Sequence, residues 1–239
     1  MSEQKRVAVI DLSLDPGIYR PVEHWSRFLS APWRAFRPKD GAFPGWDEGY
    51  THVLLTGSEA SIVHRDAWAD RTADFVRQAV SRGLSVLGSC YGHQLLALAL
   101  AGPESVRRCP EPEIGWLAVR RLRPSRLLGG DGEFYTFTVH FDEVSSLPEP
   151  FLVLASTEAC GIQAFALKNR PVWGIQPHPE IDIPTGRKLL GDFAGVRPEL
   201  ETLFAPALAS EPRDSGTAQG IVRAFLEAVP EQNLRRGVR

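Results

Sequence analysis

Apolar runs and polar interruptions follow one another along this chain in a strand–helix rhythm. Val7, Ala8, Val9 and Ile10 form an unbroken apolar run within 6–12, the pattern of a strand buried on both faces. A second such run covers 52–56. After Asp66, the residues Trp68, Phe75, Val76, Ala79 and Val80 fall on one helical face; Asp66 can cap that helix and Gly83 can close it. A strand over 84–88 leads into a helix over 91–101 that is apolar nearly all round and is therefore expected to be buried. A short helix is predicted over 21–29 with Pro21 in its first turn, and a loop around one short strand over 31–50. Strand, helix, strand, helix with short connections predicts a parallel sheet with right-handed crossovers, whose active edge is the carboxyl end of the strands.

Beyond residue 103 the rhythm changes. Segments 113–122, 133–139, 151–156, 161–167 and 171–176 read as strands separated by turn residues, and helices are predicted over 184–194 and 217–229. The stretch 205–217 reads as a surface loop. The expected fold class is α/β, a mostly parallel central sheet flanked by helices. No Pro/Gly linker or internal repeat divides the chain, so 1–239 is expected to be a single domain, with its motifs in a core of about 5–182 and a C-terminal helical extension over 183–239.

Composition narrows the function classes. The 239 residues are 43% hydrophobic and 23% charged, with a net charge of −2; without a basic excess, nucleic acid is not an expected partner. No apolar run approaches the ~20 residues that span a bilayer, so no membrane partner is expected. The polar start of the chain does not read as a signal peptide. Three cysteines, at 90, 109 and 160, have neither metal-site spacing nor the even count of a disulfide framework, which fits a cytoplasmic setting. Neither metal nor cofactor is called for.

The chemistry concentrates on Cys90. It stands in Gly88-Ser89-Cys90-Tyr91-Gly92-His93-Gln94, between a strand and a helix. That is the geometry of a nucleophile elbow, where flanking glycines relieve crowding and the helix N-terminus favours a thiolate. A thiol nucleophile needs a base and the base an orienting group. His178 follows the last apolar strand, and Pro179 holds it extended, so Glu180, two residues on, faces the same side and can fix the imidazole tautomer. An oxyanion site would take the backbone N–H of Tyr91 and a second donor from Thr56-Gly57-Ser58, at the end of the neighbouring strand. Cys109 and Cys160 read as structural, His93 as packed, and His24, His52 and His64 as surface or strand-end residues. His140 is open between substrate wall and structural polar residue.

These motifs, in this order over about residues 5–182, resemble the triad-type class I glutamine amidotransferases. The elbow, the oxyanion loop through Ser58 and the His178-Pro179-Glu180 segment carry the likeness, and the chain is similar to free-standing relatives of the glutaminase domain of GMP synthetase. The resemblance implies a flavodoxin-like architecture, Cys90 as nucleophile, His178 as base then acid, Glu180 as orienter, and Gly57 and Tyr91 as oxyanion donors. It also implies that Gln94 and the backbone of Val139, His140 and Phe141 hold the amino-acid end of glutamine. Ser89, Glu59, Val139 and Pro177 depart from the usual family residues. No G-x-x-x-x-G-K-S/T loop is present, so use of the ammonia would call for a separate synthase partner. Two alternatives share the motifs: a stand-alone γ-glutamyl hydrolase acting on another γ-glutamyl amide, and a non-catalytic regulatory or binding protein of the same fold.

Overall fold

The computed structural model describes residues 4–228. Nine strands form one sheet: β1 Val7–Ile10, β2 Trp33–Phe36, β3 His52–Leu55, β4 Ser85–Ser89, β5 Val106–Arg121, β6 Glu133–Val144, β7 Phe151–Ser156, β8 Ala164–Leu167 and β9 Val172–Ile175. Their spatial order is β2-β1-β3-β4-β9-β8-β7-β5-β6. The first five are mutually parallel, in the 2-1-3-4-5 order of flavodoxin-like sheets. From β9 outward the pairing turns antiparallel, so the sheet is parallel where it carries the motifs and antiparallel where the later strands extend it.

The helices are α1 Pro21–Ser26, α2 Ala67–Ser81, α3 Tyr91–Ala101, α4 Ile183–Val196, α5 Glu201–Ala209 and α6 Ala218–Glu227. The strand runs are apolar throughout because both faces are covered. Ala8 and Ile10 pack toward α2 and α3, with Trp68, Val76 and Leu95. Val7 and Val9 point the other way, toward Trp25 of α1 and Ile221, Val222 and Phe225 of α6. A third apolar cluster seats α4 and α5 on the β5–β6 hairpin through Phe137, Leu189, Leu190, Phe204 and Ala207. α3 is buried over nearly its whole surface, as its composition predicts. Gly83 ends the α2 segment at φ +77°, but the Asp66 side chain makes no cap hydrogen bond there.

Two expectations differ from the structure. Strand β5 starts at Val106 rather than 113: Pro110 and Pro112 sit in an irregularity between Arg108 and Glu113, where the ladder with β6 shifts register, which is how a strand accommodates residues without an N–H. The stretch 205–217 is not loop throughout, because α5 runs to Ala209 and carries Pro206 inside it. Tertiary packing of Phe204 and Ala207 overrides the local proline signal. No helix among the described residues is long and apolar enough to cross a membrane.

Candidate active site

The elbow is strained as its motif predicts. Cys90 has φ +49° and ψ −109° at the boundary of β4 and α3, a conformation that costs an L-residue about 1–3 kcal/mol and persists only where its surroundings hold it. They do so through the Cys90 N–H on the Ile175 carbonyl at 2.8 Å, the Gln94 N–H on the Cys90 carbonyl at 3.0 Å and the Gly92 N–H on the Thr56 carbonyl at 3.0 Å. Both elbow glycines are required sterically: a Cβ at Gly88 would strike the Gly92 carbonyl, and one at Gly92 would lie 2.5 Å from the Leu55 carbonyl oxygen.

His178 emerges from the end of β9, its N–H bonded to the Phe137 carbonyl at 2.8 Å. Its Nδ1 lies 2.9 Å from Glu180 Oε1; the Cys90 sulfur borders the same cavity and lies 4.0 Å from the Val139 carbonyl. Burial works against the charged imidazole, but the charges on Cys90 and Glu180 and the hydrogen bond to Glu180 outweigh it and push His178 up to about 10. All three side chains are buried. Cys90 and the His178–Glu180 pair, distant from each other in sequence, therefore meet at the carboxyl edge of the parallel strands.

Gly57 follows β3 with its Cα against the imidazole: a Cβ there would fall 2.8 Å from His178 Cε1 and 2.6 Å from the Tyr19 hydroxyl. Among the described residues, the backbone N–H groups of Gly57 and Tyr91 donate no hydrogen bond.

A cavity of about 320 Å³ opens over Cys90 and His178. Ser58, Tyr91, Gln94, Val139, His140 and Phe141 all border it. Gln94 is held by its amide nitrogen, which donates to the Asp142 carbonyl at 2.7 Å and to Gln176 Oε1 at 3.2 Å. His140 borders the cavity but its ring nitrogens face inward: Nε2 lies 2.9 Å from Glu113 Oε2, and Nδ1 3.1 Å from the Asp142 carbonyl and 3.3 Å from the Cys109 sulfur.

Several site residues carried no legible signal in sequence. The Tyr19 hydroxyl lies 3.4 Å from His178 Nδ1 and its ring stands edge-on to the imidazole; burial, then the charges of Glu180 and Cys90, keep it a neutral phenol. Asp142 accepts from Ser61 Oγ at 2.5 Å, from the Ile62 N–H at 2.9 Å and from Arg108 at 3.2 Å, tying the loop after β3 to β6. Glu59, one of the departures from the family pattern, accepts the N–H groups of Leu14 and Asp15 and braces the loop after β1. Leu189, Phe193, Leu200 and Phe204 of the C-terminal segment form a largely apolar wall that Arg197 interrupts.

Behind the cavity wall, Glu113, Cys160 and the inward-facing ring of His140 bring possible ligand atoms within 4.8 Å of one another. The Glu113 carboxylate is already served by His140, Thr157 and Gln163, and burial pushes the Cys160 thiol up. That set is a hydrogen-bonded anchor for the 139–142 segment. Cys109 and Cys160 are buried free thiols; His93 lies in the core against Phe165, lowered to about 3 by burial. His52 is also fully buried, its ring edge-on to Phe225 of α6.

The sequence model of the family described as "Glutamine amidotransferase class-I" matches residues 39–194. The chain is 33% identical over 143 residues to a glutamine-hydrolyzing GMP synthase of Clostridium novyi, which takes in 59% of this chain but only 27% of that protein. It is 29% identical over 151 residues to one subunit of the glutamine-hydrolyzing GMP synthase of Thermoplasma acidophilum, covering 62% of this chain and 73% of the relative. In fold it is similar to the crystal structure of a glutamine amidotransferase from Thermotoga maritima, with a TM-score of 0.74, 21% identity, and 94% and 97% of the two chains covered.

Proposed function

Because the chain belongs to the class I glutamine amidotransferase family, we propose that it hydrolyses the γ-carboxamide of L-glutamine through a glutamyl thioester on Cys90 and delivers the ammonia to a separate synthase partner. The observation that carries this reading is His178, which borders one cavity together with Cys90 and whose Nδ1 lies 2.9 Å from Glu180 Oε1.

The Cys90 sulfur attacks the amide carbon, and the carbonyl electrons move onto oxygen, where the N–H groups of Gly57 and Tyr91 receive the charge. Loss of one such donor costs about 3 kcal/mol of transition-state stabilisation. The carbon–nitrogen bond breaks as the His178 imidazolium gives its proton to the departing nitrogen, with Glu180 holding the ring. His178, now neutral, takes a proton from water, which attacks the thioester and releases glutamate. Gln94 and the backbone of Val139, His140 and Phe141 hold the amino-acid end. A separate partner fits the relatives: the Thermoplasma protein is by name one part of a larger synthase, and the Clostridium protein is a longer chain of which this one matches about a quarter.

A second reading, hydrolysis of a larger γ-glutamyl amide, shares every step up to the thioester and differs in the amine that leaves. The apolar wall from α4 and α5 favours keeping it. Labelling by a glutamine-like electrophile tests the chemistry common to both: stoichiometric modification of Cys90, with loss of glutaminase activity, is expected. A protein that takes no label, alone or with candidate synthases, would instead be a non-catalytic member of the fold.

A further inference from the structure

Two cations border the cavity, Arg108 and Arg197. Arg197 pairs with Glu199 at 2.5 Å, and both of those side chains are mostly exposed. Arg108 is held differently. Across the β5–β6 ladder it lies opposite Asp142, a buried carboxylate that accepts its Nη1 at 3.2 Å. The guanidinium also lies over the Phe141 ring, 5.2 Å from its centroid. The other oxygen of Asp142 accepts from Ser61 Oγ and the Ile62 N–H, so the carboxylate that holds Arg108 is itself tied down. Yet the Arg108 side chain is 59% exposed. A guanidinium has five N–H donors in a planar fork that suits a carboxylate, and the bond to Asp142 uses one of them.

Asp142 also fixes Gln94. Its carbonyl takes the Gln94 Nε2 at 2.7 Å, and Gln176 Oε1 lies 3.2 Å from the same nitrogen. A carbonyl can only accept, so the amide nitrogen is the atom that faces it, and the Gln94 oxygen is what the amide has left to offer. One residue thus seats two unlike groups at the cavity border: an acceptor on Gln94 and a fork of donors on Arg108. That pair complements the α-ammonium and α-carboxylate of an amino acid. The stacking on Phe141 and the ion pair with Asp142 hold the guanidinium in place before any ligand arrives, which lowers the ordering cost of a second ion pair.

We propose that Arg108 pairs with the α-carboxylate of the substrate and is a specificity-determining residue, one that selects γ-amides with a free α-carboxylate. The inference rests on the glutamine reading above and deepens it: Phe141 and Asp142, which hold Arg108, adjoin the backbone to which that reading gives the amino-acid end. A γ-amide whose α-carboxyl is itself amidated, as it is inside a peptide, lacks the charge that the fork receives.

The test measures kcat/KM of the full chain for L-glutamine and for L-glutamine α-amide, with γ-hydrolysis read as glutamate and as isoglutamine. The wild-type protein is expected to favour glutamine by about tenfold or more, the scale of a hydrogen bond to a charged group. Arg108→Met should cut that ratio by about tenfold, through the KM of glutamine rather than kcat; a merely structural role would slow both substrates alike and keep the ratio. Arg108→Lys retains a cation for Asp142 but loses the planar fork, and its ratio should fall between the two; it carries the test if the methionine variant does not fold. Arg197→Met is the control and should leave the ratio as it is. A wild-type ratio near one, a ratio that ignores substitution of Arg108, or one moved by Arg197→Met instead overturns the assignment. Labelling of Cys90 by the glutamine-like electrophile keeps the two levels apart. A labelled enzyme whose ratio ignores Arg108 loses the carboxylate anchor alone, whereas an unlabelled protein inert toward both substrates loses the thioester reading and the anchor with it.

Discussion

At the scale of single residues, strain is stored at Cys90. Cys90→Ala is expected to lower kcat by about three orders of magnitude or more, with the fold intact by circular dichroism. Cys90→Gly should be equally inactive yet melt above the alanine variant, because glycine accepts the φ of +49° that alanine does not; about 1 kcal/mol of relief corresponds to roughly 2–4 °C in a chain of this size. Equal melting temperatures would show that the elbow is unstrained. Glu180→Gln should reduce kcat less than Cys90→Ala, since the imidazole keeps its place but loses a carboxylate that favours its charged form. Cys90, His178 and Glu180 stand out in the sequence because each sits in a local pattern with a geometric meaning: glycines around a thiol, and a proline between histidine and glutamate. Tyr19 and Asp142 do not. Their roles come from loops and a hairpin that meet the site only in three dimensions.

Among the elements, the antiparallel extension and the C-terminal helices show where sequence patterns mislead. The sequence reading starts a strand at 113, yet β5 begins at Val106 and passes Pro110 and Pro112 by an irregularity; 205–217 reads as loop, yet α5 runs to Ala209 and contains Pro206. In both cases long-range packing decides what local propensity does not. The contact that seats α5 is specific. Gly115 of β5 has φ +108°, and a Cβ there would lie 2.9 Å from the Ala207 Cβ. Gly115→Ala is therefore expected to destabilise the protein by about 1–3 kcal/mol and, by displacing α5, to raise KM for amides more than it lowers kcat. A denaturation curve and steady-state kinetics check both parts; an unchanged KM would mean that the wall does not depend on this seat.

For the whole molecule, the topology explains why three distant segments meet. Strands β3, β4 and β9 are adjacent and parallel, so the residues that follow each of them, Gly57, Cys90 and His178, emerge at one edge of the sheet. That convergence also couples the site to global stability. His178 is raised from 6.5 to about 10 in the folded protein, against burial, by Cys90 and Glu180. Its contribution to stability is accordingly full below pH 6.5 and is lost as pH rises toward 10. Melting temperatures measured across that window should fall, and fall less in Glu180→Gln; a parallel pH course for the two proteins would contradict the assigned charge. The most direct measurement of the central claim is intact-protein mass spectrometry of the enzyme quenched in acid during turnover of a γ-glutamyl amide. The account predicts an adduct of one glutamyl group, mapped to Cys90 and absent from Cys90→Ala. Turnover that continues in Cys90→Ala, or an adduct mapped to another residue, would contradict it.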